Sequence, residues 1–182
     1  MIPELDPTHG LLPPGRYRAT RIEVRQRFVD GRGAHRQRLW QDWESATNLL
    51  RRHVHVNAAW LYGQFLSDDP EPQVVSCAYW AEDLELAKAH LNPTSVHTLA
   101  AFAQRGKVRR IVGVQVDTQL LAWHCQPDPN TEDRYLTPYL ERRGQVDDYL
   151  QRIRCGTRGS IPARDDALPR RGYVEVIVDD YQ

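Results

Sequence analysis

An α/β or α+β domain is the fold class that this sequence predicts, and three observations lead to it. Segments with helical spacing alternate along the chain with short apolar runs of strand type, which is the pattern of helices packed on a sheet. The chain has 182 residues, so residues 1–182 are read as one domain large enough to bury a real core. Hydrophobic residues make up 41% and charged residues 26%, the balance of a globular chain rather than a disordered one.

Residues 1–18 read as an extended N-terminal arm, because Pro13, Pro14 and Gly15 oppose a regular helix. A helix is predicted over 19–28, then a loop over 30–33. The next helix is predicted over 34–52, where Leu39, Trp43, Ala46 and Leu50 recur on one face. VHVNAAWLYG (54–63) reads as a strand broken by Gly63, and the loop SDDPEPQ leads to a second strand, VVSCAYW (74–80). A helical segment follows Glu82, and another spans 94–105 with Gly106 as its C-cap. Residues 108–123 carry the longest strand signal, with Val112, Val114 and Val116 alternating against Gly113, Gln115 and Asp117. Residues 134–154 read as largely helical around Leu136, Leu140, Tyr149, Leu150 and Ile153, interrupted or started by Pro138 and Gly144. GYVEVIV (172–178) closes the chain as a strand.

The 24 basic and 24 acidic residues cancel, which argues against bulk electrostatic coating of DNA or RNA. The zero is a sum of opposing blocks. Residues 16–52 hold ten Arg against Glu23, Asp30, Asp42 and Glu44, whereas residues 64–100 hold six acids against Lys88 alone. Such segregation suits solvated faces first and docking to a charged partner second. No apolar run approaches the ~20 residues of a membrane helix, and the opening MIPELDPTHG lacks a signal peptide's basic and apolar regions. Cys77, Cys125 and Cys155 form neither a metal pattern nor an even disulfide set, so a reducing cytoplasm is expected.

General motifs of nucleotide binding, zinc hydrolysis and serine hydrolysis are missing from the sequence. His53 and His55 sit two apart on the predicted strand, but spacing offers no further zinc ligands, so strand histidines near a surface are expected. Cys155 lies beside Arg154 and Arg158 without an identifiable histidine partner and reads as a plain cysteine. The tryptophans at 40, 43, 60, 80 and 123 read as core packing.

One constellation is more specific. Trp60-Leu-Tyr-Gly63-Gln64-Phe-Leu, an acidic Pro-rich loop and Pro72-Gln-Val74-Val-Ser76-Cys77-Ala-Tyr-Trp together resemble the polymerase β-type nucleotidyltransferase signature. That signature is a strand ending in Gly-Ser, a second strand bearing Asp-x-Asp, and a third carboxylate on a later strand. Amides at the Gly-Ser turn cradle phosphates, and two carboxylates on one strand face hold two Mg²⁺ ions. The opening MIPELDPTHGLLPPGRYRATRIEVRQRFV and the closing Arg171-Gly-Tyr-Val-Glu-Val176 resemble the two ends of a bacterial and phage nucleotidyltransferase-like family. The resemblance implies a small mixed sheet flanked by helices.

Carried over by position, the resemblance implies a degenerate centre. Gly63 matches, Gln64 replaces the small Ser, and Val74 and Ser76 stand where the two aspartates belong. Asp117 matches the third carboxylate; its plainer reading is a surface strand acid. Arg109 and Arg110 are the candidate phosphate contacts, and their alternation on the predicted strand lets at most one face the cleft. The function expected is that of a pseudoenzyme acting as a binding or regulatory module, in a toxin–antitoxin, phage-defence or phage-encoded setting. A protein partner is expected, with nucleotide or RNA as a further ligand and no cofactor. The alternatives are an active transferase using Mg²⁺ and a nucleoside triphosphate, with Asp117 joined by Asp68, Asp69 or Glu71 from the loop, and a phage scaffold without nucleotide.

Overall fold

The computed structural model describes residues 1–128, 130–131, 133–157 and 159–179. The expected α/β class holds: among the described residues six helices surround one open five-stranded mixed sheet. Strand β1 (Gly15–Ala19) precedes α1 (Arg21–Phe28) and α2 (Ala34–Arg51); β2 (Val56–Tyr62) and β3 (Val75–Glu82) follow. Then come α3 (Asp83–His90), α4 (Pro93–Ala103), α5 (Lys107–Val112), β4 (Val116–Trp123), α6 (Leu136–Gln151) and β5 (Gly172–Ile177). The strand order is β1-β5-β2-β3-β4. The two outer pairs, β1 with β5 and β3 with β4, are parallel, and β2 runs antiparallel to both of its neighbours.

Local chemistry sets the boundaries. Thr20 starts α1 through a capping box: its hydroxyl accepts from the Glu23 amide at 3.2 Å, and the Glu23 carboxylate accepts from the Thr20 amide at 2.7 Å. The expected start at residue 19 therefore moves two residues on, because Ala19 ends a strand. Asn92 caps α4 through the Thr94 amide at 3.0 Å, with Pro93 in the first turn. The predicted face of α2 is buried, from Leu39 through Trp43 and Ala46 to Leu50.

Two expectations fail for identifiable reasons. Residues 108–123 are not one strand: Lys107–Val112 form the short helix α5, and the strand begins at Val116. Gly106 and Gly113 both take left-handed backbone angles, φ +75° and +82°, and so bracket a single helical turn and a half. The valine alternation over 112–116 mimics a strand only by composition, since Val112 is exposed and Val116 buried. Nor are residues 1–18 only an extended arm. Residues from Gly15 onward form an edge strand, and Leu12 is fully buried in the core. Gly172 makes that docking possible, because a Cβ there would stand 2.3 Å from the Pro13 carbonyl oxygen.

The sheet's two faces are covered unequally. On the first face Ala59, Leu61, Cys77, Tyr79, Val174 and Val176 pack against buried side chains of α1 to α5. On the second face Trp60, Tyr62, Trp80, Leu121 and Tyr173 meet helix α6 through Val146 and Leu150. The tryptophans at 40, 43, 60 and 80 are buried as expected. Among the described residues no helix is long and apolar enough to cross a membrane.

Arg36 is the unforeseen core residue. It is 1% exposed, and its guanidinium donates to the carbonyls of Phe28 at 3.0 Å, Phe65 at 2.8 Å, Ser67 at 2.9 Å and also Asp69. Four carbonyls that face inward are thereby satisfied by one planar donor. Substituting Arg36→Met strands these carbonyls without a donor and is expected to cost about 3–5 kcal/mol. Arg36→Lys, with a single donor centre, recovers only part of that loss. Urea unfolding of the three proteins measures both effects.

Candidate functional site

The candidate residues collect at one end of the thinly covered face. In register across three strands, Tyr62 of β2 pairs with Ser76 of β3, and Ser76 pairs with Asp117 of β4. Gly63 ends β2 at φ +85°, and a 3₁₀ turn over Gln64–Leu66 follows it. A Cβ on Gly63 would stand 3.6 Å from the Ser76 hydroxyl, so the turn lies directly against that strand. Gln64 is exposed, and its carbonyl accepts from the Ser67 hydroxyl at 2.7 Å. Val74 lies just before β3 and is half-buried.

Asp117 is 7% exposed and is therefore not a solvent-facing strand acid. Its Oδ2 lies 3.5 Å from Arg105 Nε, and its Oδ1 lies 4.0 Å from Arg109 Nη2. Oδ1 is buried and accepts no hydrogen bond among the described residues. The left-handed turn at Gly106 lets the arginines on either side of it reach one carboxylate; a Cβ there would stand 3.9 Å from both Arg109 Nη2 and Asp117 Oδ1. Burial pushes the nearby Tyr62 phenol up to about 12, so that side chain is a neutral donor at physiological pH.

Sequence reasoning had put Arg109 and Arg110 on a strand. They sit on α5, where Arg109 meets Asp117 and Arg110 is exposed without joining the cluster. Arg105 was missed: it counted only as one charge in a basic run, and its signal was the glycine beside it. The loop acids do not join Asp117 either. The Asp68 carboxylate packs over Gly10, and Asp69 accepts from the Glu71 amide at 2.9 Å.

Among the described residues no three His, Cys, Asp or Glu side chains are grouped to hold a metal ion. At the Asp117 cluster one carboxylate, already flanked by two guanidiniums, and one serine hydroxyl do not fit Mg²⁺, which needs near-octahedral oxygen ligation. His53 and His55 precede β2 rather than lying on it; His53 Nδ1 is 3.2 Å from Ser95 Oγ and His55 Nδ1 is 4.0 Å from Asp179. Cys155 is exposed and its amide donates to Asp166 at 2.7 Å; Arg158 lies outside the described residues.

A second polar cluster escaped the sequence entirely. His124, just beyond β4, has Nδ1 2.6 Å from Asp83 and Nε2 2.6 Å from Asp133. An imidazole donates from both nitrogens only when protonated, and its pKa is raised, first by the Asp83 hydrogen bond. Asp133 is held below its ordinary value by the Tyr135 amide and then by His124. The cluster ties the start of α3 and the approach to α6 to the end of β4.

This tie has a defined pH window. The raised His124 contributes stability that is complete below its unfolded pKa, about 6.5, and is lost as pH rises through the folded value above that. The lowered Asp133 contributes stability that is lost as pH falls through its folded value below 3.8. The stability difference between the natural protein and His124→Gln should be largest between these limits and shrink on both sides. Thermal unfolding of both proteins across pH 3 to 9 reads it.

A family model described as a family of unknown function (DUF6932) matches residues 3–177. No curated protein and no solved structure matches the chain.

Proposed function

The chain belongs to the family of unknown function DUF6932, and from that premise we propose that it is a catalytically degenerate nucleotidyltransferase-like protein working as a binding and regulatory module. The observation that carries this reading is the pairing of Asp117 with Arg105 and Arg109. Where an active centre of the resembled kind needs three carboxylates, Val74 and Ser76 supply none, and cationic groups surround the remaining acid. The register of Tyr62, Ser76 and Asp117, with the Gly63 turn against it, supports the same reading.

The chemistry left to such a site is recognition. Two guanidiniums offer planar donors to a phosphate without an intervening ion. Arg109, 43% exposed, can turn from Asp117 toward an incoming anion. Nucleotide or RNA phosphate is the ligand class this favours at the cluster. Protein docking draws on other exposed charges, including Arg38 and Arg52 of the Arg-rich segment and Asp68 and Glu71 of the acidic loop. The irregularly spaced free cysteines favour a cytoplasmic setting, and a toxin–antitoxin, phage-defence or phage-encoded role follows from the resemblance alone.

Calorimetric titration with ATP, CTP, GTP and UTP, with Mg²⁺ and with EDTA, tests the reading beside a labelled-nucleotide transfer assay. Binding that is equal with and without the metal, weakened about tenfold by Arg109→Ala, and accompanied by no transfer is the expected result. Metal-dependent transfer abolished by Asp117→Ala would overturn it in favour of an active enzyme. A stoichiometric protein partner in the absence of any nucleotide binding would assign the fold to scaffolding.

A further inference from the structure

The second face of the sheet holds a cavity of about 230 Å³ that the Asp117 cluster does not use. Trp60, Trp80, Trp123, Arg18, Asn57 and Arg143 line it. The Trp60 and Trp80 rings lie 4.8 Å apart, and the Arg143 guanidinium sits over them at 5.3 and 5.9 Å. Trp60 and Trp80 are 1% and 2% exposed, so the surface they leave to the cavity is the planar Arg143 guanidinium that lies on them, beside half-buried Trp123. A flat heteroaromatic ring stacks on such a guanidinium plane.

Charge narrows the ligand further. Glu175 accepts from Trp60 Nε1 at 3.0 Å and lies 3.8 Å from Arg16 and 4.0 Å from Arg143, while Asp179 pairs with Arg51. Arg18 is exposed on the lining and has no acidic partner among the described residues. The lining thus holds Arg18 and Arg143 against Glu175 and Asp179, and both carboxylates are already engaged by arginines, which favours an anionic group at Arg18. The volume suits one ring system with a short substituent and is too small for a dinucleotide.

We propose that this cavity is a binding site for a mononucleotide, its base stacked on Arg143 beside Trp123 and its phosphate on Arg18. The proposal does not rest on the reading of Asp117. Titration of the full chain with AMP, adenosine and ribose 5-phosphate, followed by tryptophan fluorescence in the absence of metal, tests it. Saturable quenching by AMP, about tenfold weaker affinity for adenosine and no quenching by ribose 5-phosphate are expected. Arg18→Ala should bring AMP down to the affinity of adenosine without changing the circular dichroism spectrum. Arg143→Lys keeps the charge but loses the planar face and should weaken both ligands about tenfold. No saturable quenching by millimolar AMP overturns the proposal, as does an affinity unaffected by both Arg18→Ala and Arg143→Lys.

Discussion

One guanidinium organises the first face of this molecule. Arg36 projects from α2 into the core and gathers carbonyls from the end of α1 and from the loop that follows the Gly63 turn. It also lies over the Phe65 ring, 5.5 Å from its centroid. Burying a charge is costly unless its hydrogen-bonding capacity is filled, and here neutral carbonyls fill it. The loop cannot shift without unpairing that charge. The Gly63 turn is thereby fixed against Ser76, and the Asp117 end of the sheet inherits its shape from a residue on the opposite face.

The uneven covering of the sheet explains why polar chemistry gathers on one side. Five helices bury the first face, whereas α6 alone crosses the second. Space remains beside that helix at the indole-lined cavity, and Asp117 meets Arg105 and Arg109 elsewhere on the same face. Tyr173 anchors the helix by hydrogen bonding to Asp147. A mixed sheet with one lightly covered face therefore leaves room for a cavity between helix and strands.

Much of the architecture was legible in the sequence because it follows from periodicity. The α2 face and the strands at β2, β3 and β5 are set by apolar spacing that burial enforces. Where the reading erred, backbone conformation outweighed composition. Gly106 and Gly113 turned a valine-rich run into a helix and a strand, and a proline-rich arm became an edge strand by docking beside Gly172. Gly63, Ser76 and Asp117, which only the family resemblance had linked, stand side by side at one end of the sheet, and the role of Arg105 depends on a left-handed turn that no periodicity signals. Arg36, the His124 cluster and the Arg143 cavity depend on long-range contacts that no local pattern encodes. The three free cysteines and the absence of a long apolar helix among the described residues agree with composition but do not distinguish one role from another.

The position of β5 has a consequence for biosynthesis. Among the described strands β5 is made after the other four, yet it is inserted between β1 and β2. Until it arrives, β1 has no strand to pair with, and β2 presents an open edge to the surrounding medium. Closing the sheet therefore pairs Gly15 with Gly172 across a long stretch of intervening chain, the kind of non-local contact that slows folding.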